Sequence, residues 1–167
     1  MTKISVSLDL PNVNVTNIVE TNDNLTVFVE STELGVCCKH CGKHITHYHD
    51  LNKIITLDHL PVFGIPVSIK FQPIRYKCAD CGSTTTQKPS WYQSIGHCTQ
   101  SYAAFILNLL VNSTIQDVAS QTGISYKRVI NIIKQHVPDK IDWSKIKKLN
   151  TLGIDEISLK KDIKTSL

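Results

Sequence analysis

Two copies of the motif Cys-x-x-Cys-Gly constrain the fold of this chain more than any other feature. They read CKHCG from Cys38 and CADCG from Cys78. Two thiolates at this spacing hold one metal ion in a tight turn, the glycine lets the backbone curl beneath the ion, and two such turns complete a tetrahedral site. The sequence therefore predicts a zinc ribbon over residues 36–90, with a closed structural site formed by Cys38, Cys41, Cys78 and Cys81. Reduced thiols without metal, or another pairing of the cysteines, are the alternative.

The other cysteines and the neighbouring histidines offer further ligands. Cys37 is the nearest rival, although its use would stretch the first motif to Cys-x-x-x-Cys. Cys98 stands alone and is interpreted as a small buried apolar residue. The histidines after the first motif could suggest a second metal site, but we interpret them as surface residues that approach phosphates when protonated. They are His44, His47 and His49.

Alternating apolar residues predict strands before and between the cysteine motifs. Residues 1–35 suggest a β lead-in with strands near Val13–Glu20 and Leu25–Glu30, separated by the turn-forming TNDN. The 36 residues between Cys41 and Cys78 contain the strand-like runs NKIITLDHL and IPVSIKFQPIRY, with PVFG as a turn. The ribbon is therefore expected to carry a long β insert.

The hydrophobic period changes to that of helices from Thr99 onwards. The segment SYAAFILNLLVN has apolar residues at helical spacing, and a second helix is predicted to begin after Thr114 and to end at Gly123. A third helix follows Ser125, with Val129, Ile132, Ile133 and His136 expected on its inward face. This pattern predicts a helix-turn-helix domain over residues 99–138 and, with the ribbon, an α+β chain of small modules in series.

The third predicted helix carries side chains suited to nucleic acid. Lys127, Asn131 and Lys134 share its outward face, and lysine and asparagine can read base edges in the major groove. Tyr126 and Arg128 lie where phosphate contacts are expected. The alternative is an ordinary three-helix bundle with a solvated cationic face.

Charge is distributed unevenly along the chain. Residues 1–35 carry one lysine against five acids, whereas residues 36–100 and 101–150 each carry seven Lys or Arg against three Asp. A basic centre of this kind suits a polyanionic partner. The chain lacks both a signal-peptide pattern and a run of eighteen apolar residues, so a cytoplasmic protein without a membrane segment is expected. Six cysteines in that reducing compartment favour metal binding over disulfides.

The order of these parts resembles the N-terminal half of insertion-sequence transposases of the ISL-three family. The resemblance rests on CKHCG, CADCG, the segment IQDVASQTGISYKRVINIIKQH and the final LGIDEISLKK. It implies that the ribbon and the helix-turn-helix bind transposon ends in double-stranded DNA, and that an RNase H-like domain uses three acids and magnesium. Its first catalytic acid corresponds to Asp155, whereas Glu156 matches the motif but not the triad.

The resemblance has a limit, because the other two catalytic acids find no counterpart in this sequence. Residues 139–150 are expected to be a linker, and residues 151–167 the first strand of a truncated catalytic domain. The chain alone is accordingly expected to be inactive, with DNA binding retained and homo-oligomerisation left open. A stand-alone zinc-dependent DNA-binding regulator, or a zinc-stabilised interaction module without a nucleic-acid role, is the alternative.

Overall fold

The computed structural model describes residues 8–93, 95–138 and 144. This part of the chain confirms the predicted α+β class, with a large β region followed by helices. The strands are β1 Val13–Glu20, β2 Leu25–Ser31, β3 Val36–Cys37, β4 His44–Ile45, β5 Tyr48–Leu51, β6 Ile55–Val62, β7 Ile65–Phe71, β8 Ile74–Lys77, β9 Thr84–Thr86, β10 Tyr92–Gln93 and β11 Cys98–Thr99. The helices are α1 Gln100–Leu110, α2 Ile115–Thr122 and α3 Tyr126–His136.

The main sheet has six strands in the order β1-β2-β7-β6-β11-β10. The N-terminal hairpin β1-β2 joins it through parallel pairing of β2 with β7. Strands β6 and β7 form a hairpin around Phe63 and Gly64, whose φ angles of 52° and 82° are both positive, as a type I′ turn requires. Strand β11, which leads into α1, pairs in parallel with β6. One sheet thus joins the lead-in, the insert between the cysteine motifs and the start of the helical region.

The predicted run IPVSIKFQPIRY is not one strand. Strand β7 ends at Phe71, and β8 begins at Ile74 in a separate three-stranded sheet of order β5-β8-β9. Pro73 lies between them and has no N–H to donate to a ladder, while its carbonyl accepts from the Asn52 N–H at 2.8 Å. The proline therefore marks the point where the chain passes from one sheet to the other.

Alternation along β2, β6 and β7 buries one side of the main sheet. The Phe71 and Trp91 rings meet edge to face, with centroids 5.3 Å apart. The core cluster consists of Val27, Val29, Leu57, Val67, Ile69, Phe71 and Trp91. Because successive side chains of a strand point to opposite faces, Asp58 projects away from the face to which Leu57 contributes.

The three helices pack around a second core cluster. Its buried members are Cys98, Tyr102, Ala103, Ile106, Val118, Ala119, Ile124, Val129 and Ile132. The predicted inward residues therefore lie in or against this core, with one exception. His136 is exposed, because it is the last residue of α3.

The chain divides into two compact units after Val137. The first unit contains the six-stranded main sheet, the two-stranded sheet β3-β4, the three-stranded sheet β5-β8-β9 and the three helices, so the lead-in, ribbon and helical segments do not separate into independent bodies. The boundaries proposed for them at 1–35, 36–90 and 99–138 stay predictions. No helix within the described ranges is long and apolar enough to cross a membrane.

Candidate metal centre and nucleic-acid interface

The two cysteine motifs fold into matching turns. In the first, the Cys38 N–H donates to the Lys43 carbonyl at 2.7 Å and the Gly42 N–H donates to the Cys38 carbonyl at 2.9 Å. In the second, Cys78 and Gly82 repeat this pattern at 2.9 and 3.0 Å. Gly42 and Gly82 have φ angles of 74° and 68°, a left-handed conformation that residues with a Cβ rarely adopt.

The four predicted ligand cysteines converge on one point. The ligand atoms of Cys38, Cys41, Cys78 and Cys81 all lie within 4.8 Å of one another. The Sγ atoms of Cys38 and Cys81 are 3.6 Å apart, as are those of Cys41 and Cys78. Four sulfurs arranged tetrahedrally at about 2.3 Å from a zinc ion would be about 3.8 Å apart. The donor set therefore fits a metal ion, and its sulfur chemistry suits zinc.

The surroundings of the cysteines stabilise negative charge on two of them. The Ser83 hydroxyl, followed by the backbone N–H groups of Cys41 and His40, lowers the pKa of Cys38 to about 5. Ser83 also lowers the pKa of Cys81, and its Oγ lies 3.1 Å from both sulfurs. Thiolates are the form in which cysteine binds metal.

The pKa of Cys41 is raised where four thiols lie close together. The backbone of Lys43 lowers this pKa, but burial and the neighbouring sulfurs outweigh it and raise the pKa to about 11. A divalent cation at the centre would offset the repulsion among the thiolates. The geometry thus favours a closed structural site, in which all four ligand positions belong to the protein.

Contacts outside the sulfurs tie the two turns together. The Lys39 N–H donates to Thr85 Oγ1 at 3.1 Å, and Lys43 forms an ion pair with Asp80 at 2.9 Å. Beneath the turns lies a small buried cluster of Cys38, Ile45, Tyr76 and Cys78. These contacts hold the two halves of the site in register.

The remaining ligand candidates lie elsewhere. Cys37 is exposed and does not belong to the metal-binding cluster found among the described residues. Cys98 is fully buried, and burial raises the pKa of its thiol to about 11, in keeping with its interpretation as a small apolar residue. His44, His47 and His49 are exposed beside the first turn.

Helices α2 and α3 form the helix-turn-helix that the sequence predicts. Thr114 and Asp117 make a capping box, in which the Asp117 N–H donates to Thr114 Oγ1 and the Thr114 N–H donates to the Asp117 carboxylate. Gly123 ends α2 in a left-handed conformation with φ 72°, and its N–H donates to the Ala119 carbonyl at 3.0 Å. Ser125 occupies the N-cap position of α3 but makes no side-chain capping bond.

The outward side of α3 is cationic and polar. Lys127 and Lys134 are exposed and Asn131 is half-buried, at spacings that place all three along one side of the helix. Tyr126, at the first position of α3, is 48% exposed. The sequence of α3, YKRVINIIKQH, contains no acid. This surface suits a negatively charged partner.

Arg128, for which the sequence predicts a phosphate contact, makes several contacts within the protein. Its guanidinium donates to the carbonyls of Gly96 and His97 and pairs with the Asp58 carboxylate of β6. The sequence analysis did not identify Asp58 as the partner of Arg128, although an acid inside the strand-like run NKIITLDHL could have indicated a charged partner. It also missed Ser83, which follows the second Cys-x-x-Cys-Gly motif directly.

The comparisons with known proteins concern the helical part of the chain. A family model described as the helix-turn-helix domain of transposase family ISL3 matches residues 95–137. This segment is similar to a transposase helix-turn-helix, and DNA binding is the function that it supports. No curated protein and no solved structure matches the chain. The match covers β11 and all three helices, including the outward side of α3.

The acidic motif of the sequence analysis lies outside the described residues. This applies to Asp155 and Glu156, and to the predicted linker at 139–150 apart from residue 144.

Proposed function

We propose that this chain is the DNA-binding N-terminal portion of a transposase, and that it recognises the terminal inverted repeats of its transposon. The observation that carries the proposal is the acid-free, cationic outer side of α3 within a segment that matches a transposase helix-turn-helix domain. In such a domain the second helix of the motif enters the major groove.

Each residue of α3 has a proposed role. Asn131 is suited to a bidentate contact with an adenine edge, which would supply sequence preference. Lys127 and Lys134 contact phosphate or guanine, and Tyr126 contacts the backbone at the start of the helix. Within the described part of the chain, the side chains of Lys127, Asn131 and Lys134 have no hydrogen-bond or ion-pair partner, which leaves them available to DNA.

The four-cysteine site is proposed to hold structural zinc. Cys38, Cys41, Cys78 and Cys81 would be its ligands, and the closed set leaves no position for a substrate. Zinc would stabilise the two cysteine turns and the short strands that flank them.

Catalysis is proposed on the resemblance alone. Asp155 would be the first magnesium ligand of an RNase H-like domain, acting with acids of the full-length transposase. The activity, DNA recombination, belongs to that complete domain.

The DNA-binding proposal is tested with duplexes that carry the inverted repeats flanking the gene and with scrambled duplexes of equal length. Asn131→Ala should reduce the preference for the repeats by about 1–3 kcal/mol, because a bidentate base contact is lost. Lys127→Ala should weaken binding to both duplexes and reduce the salt slope by about one. Fluorescence anisotropy at several salt concentrations measures both effects.

Lys53→Ala is the matched control, since it removes the same charge from an exposed loop residue before β6. It should leave the affinity for both duplexes and the salt slope close to those of the wild type. Equal affinity of the wild-type chain for the repeats and for scrambled DNA at the same salt would contradict repeat recognition.

A further inference from the structure

Arg128 connects α3 to the main sheet. Its Nη2 atom lies 2.6 Å from the Asp58 Oδ2 atom and donates to the carbonyls of Gly96 and His97 at 2.9 and 3.1 Å. Its Nε donates to the Gly96 carbonyl at 3.3 Å. The guanidinium therefore contacts β6 and the segment that leads into α1, both at once.

Asp58 is itself held in place. It lies in β6 opposite Cys98 of β11, and its N–H donates to the His97 carbonyl at 3.0 Å. The Asp58 Oδ2 atom is buried and makes no hydrogen bond of normal geometry with the described residues, so the ion pair with Arg128 is what offsets its charge. A carboxylate fixed on a central strand is a rigid anchor for a helix.

The pair is partly shielded from solvent. The side chains of Arg128 and Asp58 are 30% and 28% exposed. Such a pair is screened less than a surface ion pair, and loss of one partner leaves the other charge poorly compensated. An arginine with this set of contacts would have to give them up in order to reach a phosphate.

We propose that Arg128 is a positioning residue for DNA recognition. It sets the angle at which α3 presents Lys127, Asn131 and Lys134, through its contacts with Asp58 and with the carbonyls of Gly96 and His97. It makes no phosphate contact of its own. This inference rests on the proposed function of α3.

The two roles of Arg128 predict opposite results for Asp58→Asn. This substitution removes a negative charge and frees the arginine. If Arg128 contacted phosphate, the freed guanidinium would bind DNA at least as tightly as before. If Arg128 positions α3, affinity should fall, on the order of tenfold, because α3 loses its anchor.

The experiment compares the full chain with Asp58→Asn, Arg128→Gln and the double variant, each loaded with zinc. Anisotropy is measured on repeat and scrambled duplexes across a salt series, at a temperature where circular dichroism shows every variant folded. Each single variant should weaken binding to the repeats, and the double variant should be no weaker than either, because both changes break one connection. The salt slope should stay that of the wild type.

Thr114→Ala serves as a control for simple loss of stability, since it weakens α2 without touching the Arg128 contacts. The inference would be overturned if Thr114→Ala lost as much affinity as Asp58→Asn at that temperature. It would also be overturned if Asp58→Asn bound as tightly as the wild type, or if Arg128→Gln lowered the salt slope by about one. If the wild-type chain bound neither duplex, both the proposed function and this inference would be contradicted.

Discussion

One hydroxyl group serves two of the metal-site thiols. Ser83 Oγ lies 3.1 Å from the sulfurs of Cys38 and Cys81, and it is the largest influence that lowers the pKa of each. A hydrogen bond to a ligand sulfur spreads its negative charge and orients it toward the metal. Ser83 thus belongs to the candidate site, although it is not one of the four proposed ligands.

We expect Ser83→Ala to lower the zinc affinity of the chain by roughly 10-fold, the lower end of the range for partners of metal ligands. Competition against a chelator of known zinc affinity measures this change. Ser90→Ala is the control, because Ser90 is exposed and makes no contact with the cysteines. Equal zinc affinity of the Ser83→Ala and Ser90→Ala variants would show that the hydroxyl contributes nothing.

At the scale of elements, the two helices of the motif begin differently. Thr114 makes a complete capping box with Asp117, whereas Ser125 makes no side-chain bond to the N-terminus of α3. The start of α3 is therefore held by its packing through Val129 and Ile132 and by the contacts of Arg128. The N-cap hydroxyl of Thr114 therefore stabilises α2, whereas the N-cap hydroxyl of Ser125 contributes much less to α3.

Thr114→Ala should reduce the free energy of unfolding by about 1 kcal/mol, because a bonded N-cap is lost. Ser125→Ala should cost less, since it removes no capping bond. Urea denaturation followed by circular dichroism compares the two variants. Equal losses would mean that the α3 N-cap is bonded in solution.

At the scale of the whole molecule, the two larger apolar cores of the described residues do not include the four cysteines of the candidate metal site. The sheet core around Leu57 and Phe71 and the helical core around Ile106 and Val118 contain no metal ligand. The cluster under the cysteine turns has four buried residues, and two of these, Cys38 and Cys78, belong to the candidate metal site. We therefore expect the cysteine turns to depend on a bound metal much more than the main sheet or the helices do.

Removal of metal should unfold the cysteine turns while α1, α2 and α3 keep their helical signal. Structural zinc contributes roughly 10–16 kcal/mol of apparent binding free energy in small peptides, far more than this small cluster can replace. Hydrogen exchange after chelation should show lost protection at β3, β4, β8 and β9 and retained protection in the helices. Added zinc should restore it.

Elemental analysis should find one zinc per chain in protein purified without chelator. Cys38→Ser should abolish it, while Cys37→Ser, an exposed neighbour outside the cluster, should keep it. Full retention of metal by the Cys38→Ser variant would contradict the assignment of ligands.

Local sequence patterns determined the elements of this protein. The spacing of the cysteine motifs predicted both cysteine turns, and the strands predicted on either side of TNDN match β1 and β2 within a residue of their observed ends. Helical spacing and the Thr114 and Gly123 signals located α2. These features depend on residues within a few positions of one another, so the sequence carries them directly. The DNA-contact residues and Asp155 also came from local pattern and resemblance, and they stay predictions.

Tertiary structure alone decided how the elements meet. Parallel pairing of β2 with β7 and of β6 with β11 placed the lead-in, the insert and the helical segment on one sheet. The same pairing brought Asp58 to Arg128, and convergence of the turns brought Ser83 to Cys38. The physical reason is that such contacts form between distant residues only when whole faces are buried together. The spacing of residues along the chain therefore does not predict which distant strands and turns pair.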